Sequence, residues 1–485
     1  MQSTVPRPVR RALLQGRCPS ACAAAWLFLA PLLAACPPAP PDDSRPDTTE
    51  DSTPDTGGGF FSDIGIELAE AMPTVATVRW QTEAPARCRV SFGAPGAEPV
   101  LTPLEATAAT EHQAVLVGLR QSTEIQVEIY AEGEHGSHAS APSTFTTGAL
   151  DISLRALTLS ADDPTRSAGG FTLVPITTSA GGTWGSWACI LDPAGEILWA
   201  YPAAAAPRMR LSPDGSGITC LYELVDGSKE RKARLARVSW TGEELWGATI
   251  PAGQRDFAIL DSGDLAVLAQ VSREVEGYPE PLVGDQIQVV PAEGEARVIW
   301  DSFERFPPGW CDVEPLQTDW THANYLAWSA QAGELLVVLR TLSAVEAIDP
   351  ADGSRRWVLS NRCGDYVSAD GSALVVNPHS AEPTEQGLLL FNQGEEPDGC
   401  SGAVELALDP DAGTARATWS YDDPDCIHTY FMGNAQALPN GNRLIVLNGQ
   451  ISEVAASGEV IHQIKNPLDQ TFGYAERVPT LYVTP

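Results

Sequence analysis

Positive charge is scarce in this chain. Thirty Lys and Arg stand against 63 Asp and Glu in 485 residues, a formal net charge of −33 at pH 7. So acidic a protein repels phosphate backbones and anionic headgroups, which excludes nucleic acid and anionic membrane surfaces as partners. Histidine is rarer still, at seven in the whole chain. The cysteines after Cys36 show no CxxC pair and no Cys/His spacing of the kind that holds zinc. Long apolar runs are also missing. The longest, near the N terminus, has about fifteen residues, too short to span a bilayer. What is present is ample core material, 43% hydrophobic against 19% charged, in a chain long enough for two or more domains.

The N-terminal apolar run follows Arg7, Arg10, Arg11 and Arg17, the arrangement of a secretory signal. It ends in LAAC, Leu33 to Cys36, which resembles the lipobox of bacterial lipoproteins. The resemblance implies that residues 1–35 are removed and that Cys36 is diacylated as the mature N terminus. A plain secretory signal with an incidental cysteine is the alternative. The first reading predicts an exported lipoprotein, periplasmic or cell-surface, anchored to the outer membrane by lipid alone. Residues 36–59 are rich in Pro, Asp and Thr and nearly free of apolar side chains, so they read as a disordered tether. In an exported protein the remaining cysteines, Cys88, Cys189, Cys220, Cys311, Cys363, Cys400 and Cys426, read as disulfides with one thiol left over. Cys400 with Cys426 and Cys189 with Cys220 are the expected pairs.

Residues 60–148 alternate apolar and polar side chains, with turn signals roughly every ten residues, the pattern of a small β-sandwich. The stretch GLRQSTEIQVEIYAE resembles the strand corner of fibronectin type III domains, with Ile125 where that family has its corner tyrosine. Such a domain is expected to be a scaffold. It holds His112, His135 and His138.

Residues 149–485 carry a hidden repeat. DPAGEILW, SWTGEELW, PAEGEARVIW, DPADGSRRW, DPDAGTARATW and AASGEVIHQI align on Trp199, Trp246, Trp300, Trp357, Trp419 and His462. Between these anchors lie hairpins with polar turns. Four short strands per unit, six times over, predict an all-β, six-bladed propeller, with residues 169–176, GGFTLVPI, offering a strand to close the ring.

In such a ring the segments before corresponding hairpins converge on one mouth of the central channel. Those segments are GQRDFAIL, DWTHANYL, NPHSAEPT and YFMGNAQAL, which place Arg255, His322, His379 and Asn434 at similar positions. The hairpin from 319 to 340 doubles back near Gln331 and Ala332 and brings Arg340 beside His322. His428, just ahead of a hairpin, could reach the rim. Each residue alone has a plain structural explanation. Two imidazoles and a guanidinium at one mouth suggest transfer of an anionic group, because a neutral imidazole is a nucleophile toward sulfur or phosphorus. Arginine beside them argues against a metal, since it repels a cation and no third ligand is in view.

Four motifs carry a family resemblance: THAN with Arg340 eighteen residues after His322, LSAVEAIDPADGSRRW, NPHSAEPTEQGLLLFNQG and MGNAQALPNGNRLIVLNG. Over about residues 165 to 485 the chain resembles the bacterial arylsulfotransferases, six-bladed propellers with a small β domain ahead. The resemblance implies transfer of a sulfuryl group from an aryl sulfate to a phenol, with His379 as the nucleophile that becomes sulfohistidine. His322 and Arg340 are its catalytic partners, and Asn324, Arg255 and Asn434 are expected to bind substrate. No dissociable cofactor is implied. Two positions depart from the family pattern: Arg255 stands where the family has a histidine, and Pro378 precedes His379 where a glutamine is common. The departure at Arg255 supports an alternative, a catalytically impaired tethered propeller that binds a ligand or protein. IDPADGSRRW also resembles the docking repeat of quinoprotein dehydrogenases, but six units and no cofactor-stacking Cys pair set that reading aside.

Overall fold

The computed structural model describes residues 59–483, apart from 135, 180–184, 204, 206–207, 225–230, 314–317 and 396–398. The expected leader, the lipidation site Cys36, nearly all of the tether and His135 lie outside the described residues.

The strands from Phe61 to Thr146 surround a core of their own. Its backbone is the 22-residue strand Met72–Gly93. Its first half pairs with Phe61–Ala69 and Ala109–Leu116, and its second half with Glu124–Gly133. Val78, Trp80, Cys88, Val90 and Phe92 point inward while Arg79, Gln81 and Arg87 stay exposed, the period of two that makes a half-buried strand. This layer rests on the propeller. The Tyr482 hydroxyl donates to the Val115 carbonyl at 3.1 Å, and Arg120 Nε donates to Asp192 at 2.7 Å.

Six further sheets form the six-bladed β-propeller. Successive blades start on innermost strands at Arg208–Leu211, Gly253–Ile259, Ala323–Ser329, Pro378–Pro383 and Asn434–Ala437. The first blade is completed differently. Its strand Phe171–Thr178 pairs with the C-terminal segments Gln470–Phe472 and Glu476–Val478, while Thr158–Asp162 becomes the outer strand of the last blade. GGFTLVPI therefore receives the closing strands, and chain from both ends seals the ring. Radial closure of this kind leaves few unpaired edges.

The fourth blade shows why its strands are so apolar. Leu335, Val337 and Leu339 pack toward the third blade, and Leu336 and Val338 toward the fifth. A sheet covered on both faces buries the side chains of both, so residues 335–339 of the strand Glu334–Leu339 form a continuous apolar run rather than an alternating one. The repeat anchors join blade to blade. The Trp199 indole donates to Trp240 O, Trp300 to Glu346, Trp419 to Ala456 O, and His462 Nε2 lies 2.6 Å from Pro193 O across the seam.

Two disulfides occur among the described residues. Cys400–Cys426 is as expected, with Cα atoms 4.7 Å apart. The expected Cys189–Cys220 bridge is wrong: both are buried free thiols, and the second bridge is Cys311–Cys363. The reason is strand alternation. Ala188 and Ile190 face the layer that contains Cys220, so Cys189 between them faces the opposite one. Cys311 lies in an excursion between the third and fourth blades and ties it to the loop after the strand Arg355–Ser360.

Candidate active site

The innermost strands of the third, fourth and fifth blades do not pair evenly with their neighbours. The register breaks between Gly253 and Phe257, between Ala323 and Tyr325, and between Pro378 and Ser380. Asn324 and His379 are the extra residues of bulges, and a bulge turns a side chain that would otherwise follow the pleat. Each irregular strand carries a non-glycine residue with positive φ at or just before its break: Arg255 at 59° within the first, and His322 at 50° and Asn377 at 46° just ahead of the others. Such conformations cost about 1–3 kcal/mol each and persist only where the surroundings hold them.

The surroundings are acidic and buried. Asp285 accepts from Thr321 Oγ1 and the Ala323 N–H, both at 2.7 Å, and so grips the turn on either side of His322. Burial pushes the Asp285 carboxyl up, against the opposing pull of Arg255. Asp256 accepts from the Leu326 N–H at 2.9 Å and from Arg208 Nε at 2.8 Å, the latter a fully buried ion pair. Removing one partner of such a pair costs about 3–5 kcal/mol, so it works as a brace between the second, third and fourth blades.

On this frame His322 and Arg340 lie together as their hairpin requires. The Arg340 N–H donates to the His322 carbonyl at 3.2 Å. Arg340 Nε donates to Gln393 Oε1 at 2.6 Å, which fixes the guanidinium against the fifth blade. His322 Nδ1 is 2.7 Å from Asp319 Oδ2, while Arg255 reaches the same carboxylate at 3.5 Å and the Ala323 carbonyl at 3.1 Å. Burial would raise Asp319, yet the hydrogen bond and charge of His322, helped by Arg255, hold its carboxyl below the usual range.

His379 is 6% exposed and completes the group. Burial, followed by the charges of His322, Arg255 and Arg340, lowers its pKa well below the ordinary value, so its ring is neutral near pH 7. Three of the expected residues thus act on it through their charge. Its Nδ1 is 2.7 Å from the hydroxyl of Tyr474, which also donates to the Asn324 carbonyl at 2.9 Å.

Not every expected residue behaves as anticipated. Asn434, aligned with this set, gives both ends of its amide to the backbone of Ala475, at 2.8 and 2.9 Å, and holds the ring closure instead of facing a substrate. Asn324 is 1% exposed, with its Nδ2 weakly directed at Pro378 O and its Oδ1 unpartnered. His428 binds Gly399 O through Nδ1 at 2.6 Å beside the Cys400–Cys426 bridge. In the N-terminal layer His112 lies between Glu105, 2.8 Å from Nδ1, and Cys88, 3.7 Å from Nε2. Those donors form a chain through the ring rather than a cage around one ion.

Asp319, Gln393 and Tyr474 were not singled out from sequence. Asp319 sits three residues before His322 in DWTH, and Gln393 lies within FNQG, so both had a positional signal. Tyr474 lies in the C-terminal closing segment, outside any repeat, and had none. A cavity of about 800 Å³ opens at the turn ends of the same strands, lined by Thr384, Gln386, Trp419 and Arg443 among others. No imidazole is among the residues that line it.

The family model described as Arylsulfotransferase (ASST) matches residues 163–471. No curated protein matches the chain. Among solved structures, a protein from Lactobacillus plantarum is 10% identical, covering 80% of this chain and 100% of its own, at a TM-score of 0.36. Cobalt-substituted ACO from Synechocystis is 11% identical, with 83% and 96% covered, at 0.34. An auxiliary nutrient binding protein from Bacteroides ovatus is 9% identical, with 84% and 90% covered, at 0.33. Likenesses this distant carry no functional argument.

Proposed function

The chain belongs to the arylsulfotransferase family, and we propose that it moves a sulfuryl group from an aryl sulfate to a phenol through a covalent intermediate on His379. The observation that carries this reading is a buried His379, kept neutral by burial and by the charges of His322, Arg255 and Arg340.

In the first half-reaction a ring nitrogen of His379 attacks sulfur. The N–S bond forms as the S–O bond to the aryl group breaks, and the aryl oxygen departs as phenol. Arg340 and Arg255 offset the negative charge on the sulfuryl oxygens, which is worth most where water is excluded. The imidazolium of His322, stabilised by Asp319, gives its proton to the leaving oxygen. His322 is then neutral and takes a proton from the second phenol, whose oxygen attacks sulfur and restores His379. Protons balance over the cycle, and the kinetics are ping-pong. Arginine at 255 keeps its proton near neutral pH and acts by charge and hydrogen bonding alone. Proton transfer in this protein therefore falls to His322 and Asp319.

A chromogenic aryl sulfate incubated with the purified protein, followed by peptide mass spectrometry, tests the reading. Phenol release and a sulfuryl adduct on the His379 peptide are expected. Absence of both across several aryl sulfate donors would sink it. The basic leader and LAAC support, as part of the same reading, an exported lipoprotein held on its tether at Cys36. Incorporation of labelled palmitate that disappears in Cys36→Ala is the matching test.

A further inference from the structure

One hydroxyl touches the proposed nucleophile, and it has one proton to give. Tyr474 Oη is 2.7 Å from His379 Nδ1 and 2.9 Å from the Asn324 carbonyl. Asn324 is the extra residue of a bulge, so its backbone lies where the ladder is interrupted. A carbonyl oxygen can only accept, whereas an imidazole nitrogen can accept or donate. Only one arrangement satisfies all three groups: Nδ1–H donates to Tyr474 Oη, and Tyr474 O–H donates to Asn324 O. The reverse arrangement would leave a buried carbonyl without a donor, at about 1–3 kcal/mol.

We propose that Tyr474 is a positioning residue that fixes His379 as the Nδ1–H tautomer, so that Nε2 carries the lone pair that attacks sulfur. The inference rests on the proposed function and specifies the reacting atom. Among the described residues Nε2 makes no hydrogen bond, and Tyr474 is itself buried at 3% exposure. The charges of Arg255 and Arg340, which act on His379, favour an unprotonated nitrogen on its ring. During transfer the N–S bond forms at Nε2, the S–O bond to the aryl group breaks, and the Nδ1 proton stays on the ring, held by Tyr474. The positive charge that the ring then acquires is shared along the Tyr474 to Asn324 chain.

Tyr474 follows the closing strand Gln470–Phe472, which pairs with Phe171–Thr178. Sealing the ring therefore delivers the group that orients the nucleophile.

The test is 15N NMR of the full chain labelled at histidine, where only seven residues contribute, with the His379 resonances identified by their loss in His379→Asn. Wild type should show a protonated, pyrrole-type Nδ1 and an unprotonated, pyridine-type Nε2. Tyr474→Phe keeps the buried ring and removes only the hydroxyl. It should shift His379 toward the other tautomer and slow single-turnover sulfurylation by about 10- to 100-fold, with KM for the aryl sulfate little changed. An Nε2–H tautomer in wild type, or an unchanged tautomer in Tyr474→Phe, would overturn the proposal. The NMR result stands even if no aryl sulfate is turned over, so failure of this inference and failure of the sulfotransferase reading are told apart.

Discussion

Asp319 Oδ2 lies 2.7 Å from Nδ1 of His322, which makes an acid–imidazole dyad of two residues three apart in sequence. The carboxylate holds one ring nitrogen, and in the proposed cycle the other exchanges the proton of the phenol. Asp319→Asn keeps the shape and removes the charge. It should lower kcat by about 10²- to 10⁴-fold, with a smaller penalty for donors whose phenols are strongly acidic and leave without protonation. A series of aryl sulfates of graded leaving-group acidity measures the slope. Equal losses for all donors would remove His322 and Asp319 from proton transfer.

His379→Asn should abolish the sulfuryl adduct and reduce turnover by at least about 10³-fold, because it removes the nitrogen that attacks sulfur. Intact-mass spectrometry after a single addition of donor reads the adduct directly.

Gln393 anchors Arg340 at 2.6 Å and has no part of its own in the proposed sulfuryl transfer. Arg340→Ala should cost about 10²- to 10³-fold in kcat as a lost charge contact, and Gln393→Leu about tenfold as a loosened one. Comparing kcat/KM for both variants, with thermal unfolding as the control for folding, checks the order.

The lowered pKa of His379 has a sign that can be tested. Its folded value is well below the ordinary 6.5, so between the two values the unfolded chain binds the extra proton. Stability then rises with pH in that window and falls as pH drops below about 6.5. Asp319 acts in a lower window, its contribution present above its unfolded value and lost as pH falls through its depressed folded one. His379→Asn cannot take up the proton. Its melting temperature should therefore decline less than that of wild type between pH 7.5 and 5.5, as followed by calorimetry. Parallel declines would contradict a buried neutral His379.

Unfolding without reductant should expose Cys88, Cys189 and Cys220 to alkylation, with Cys311, Cys363, Cys400 and Cys426 protected. Breaking the Cys311–Cys363 bridge, with a sequence separation of 52, should cost about 2–5 kcal/mol. Peptide mapping and denaturant titration of Cys311→Ser provide the two measurements.

The six-bladed ring was legible in the amino-acid pattern, because each blade is a local unit. The anchors from Trp199 to His462 and the polar turns between them repeat whatever the neighbouring blades contain. The sequence also placed His322 beside Arg340, since a hairpin turning at Gln331 and Ala332 makes its two ends neighbours. Cys400 and Cys426 were legible for a similar reason, being close along the chain. The tertiary structure decided the rest, wherever the outcome depended on contacts between blades. The bulges that turn Asn324 and His379 depend on register against the adjacent strand, which no periodicity in their own strand reports. Asp285 holds the His322 turn from the third blade, and Tyr474 reaches His379 only because the C terminus returns to seal the ring. Cys189 and Cys220, near in sequence, stay apart because alternation puts them on different faces, whereas Cys311 and Cys363 meet because an excursion folds back over its own blade.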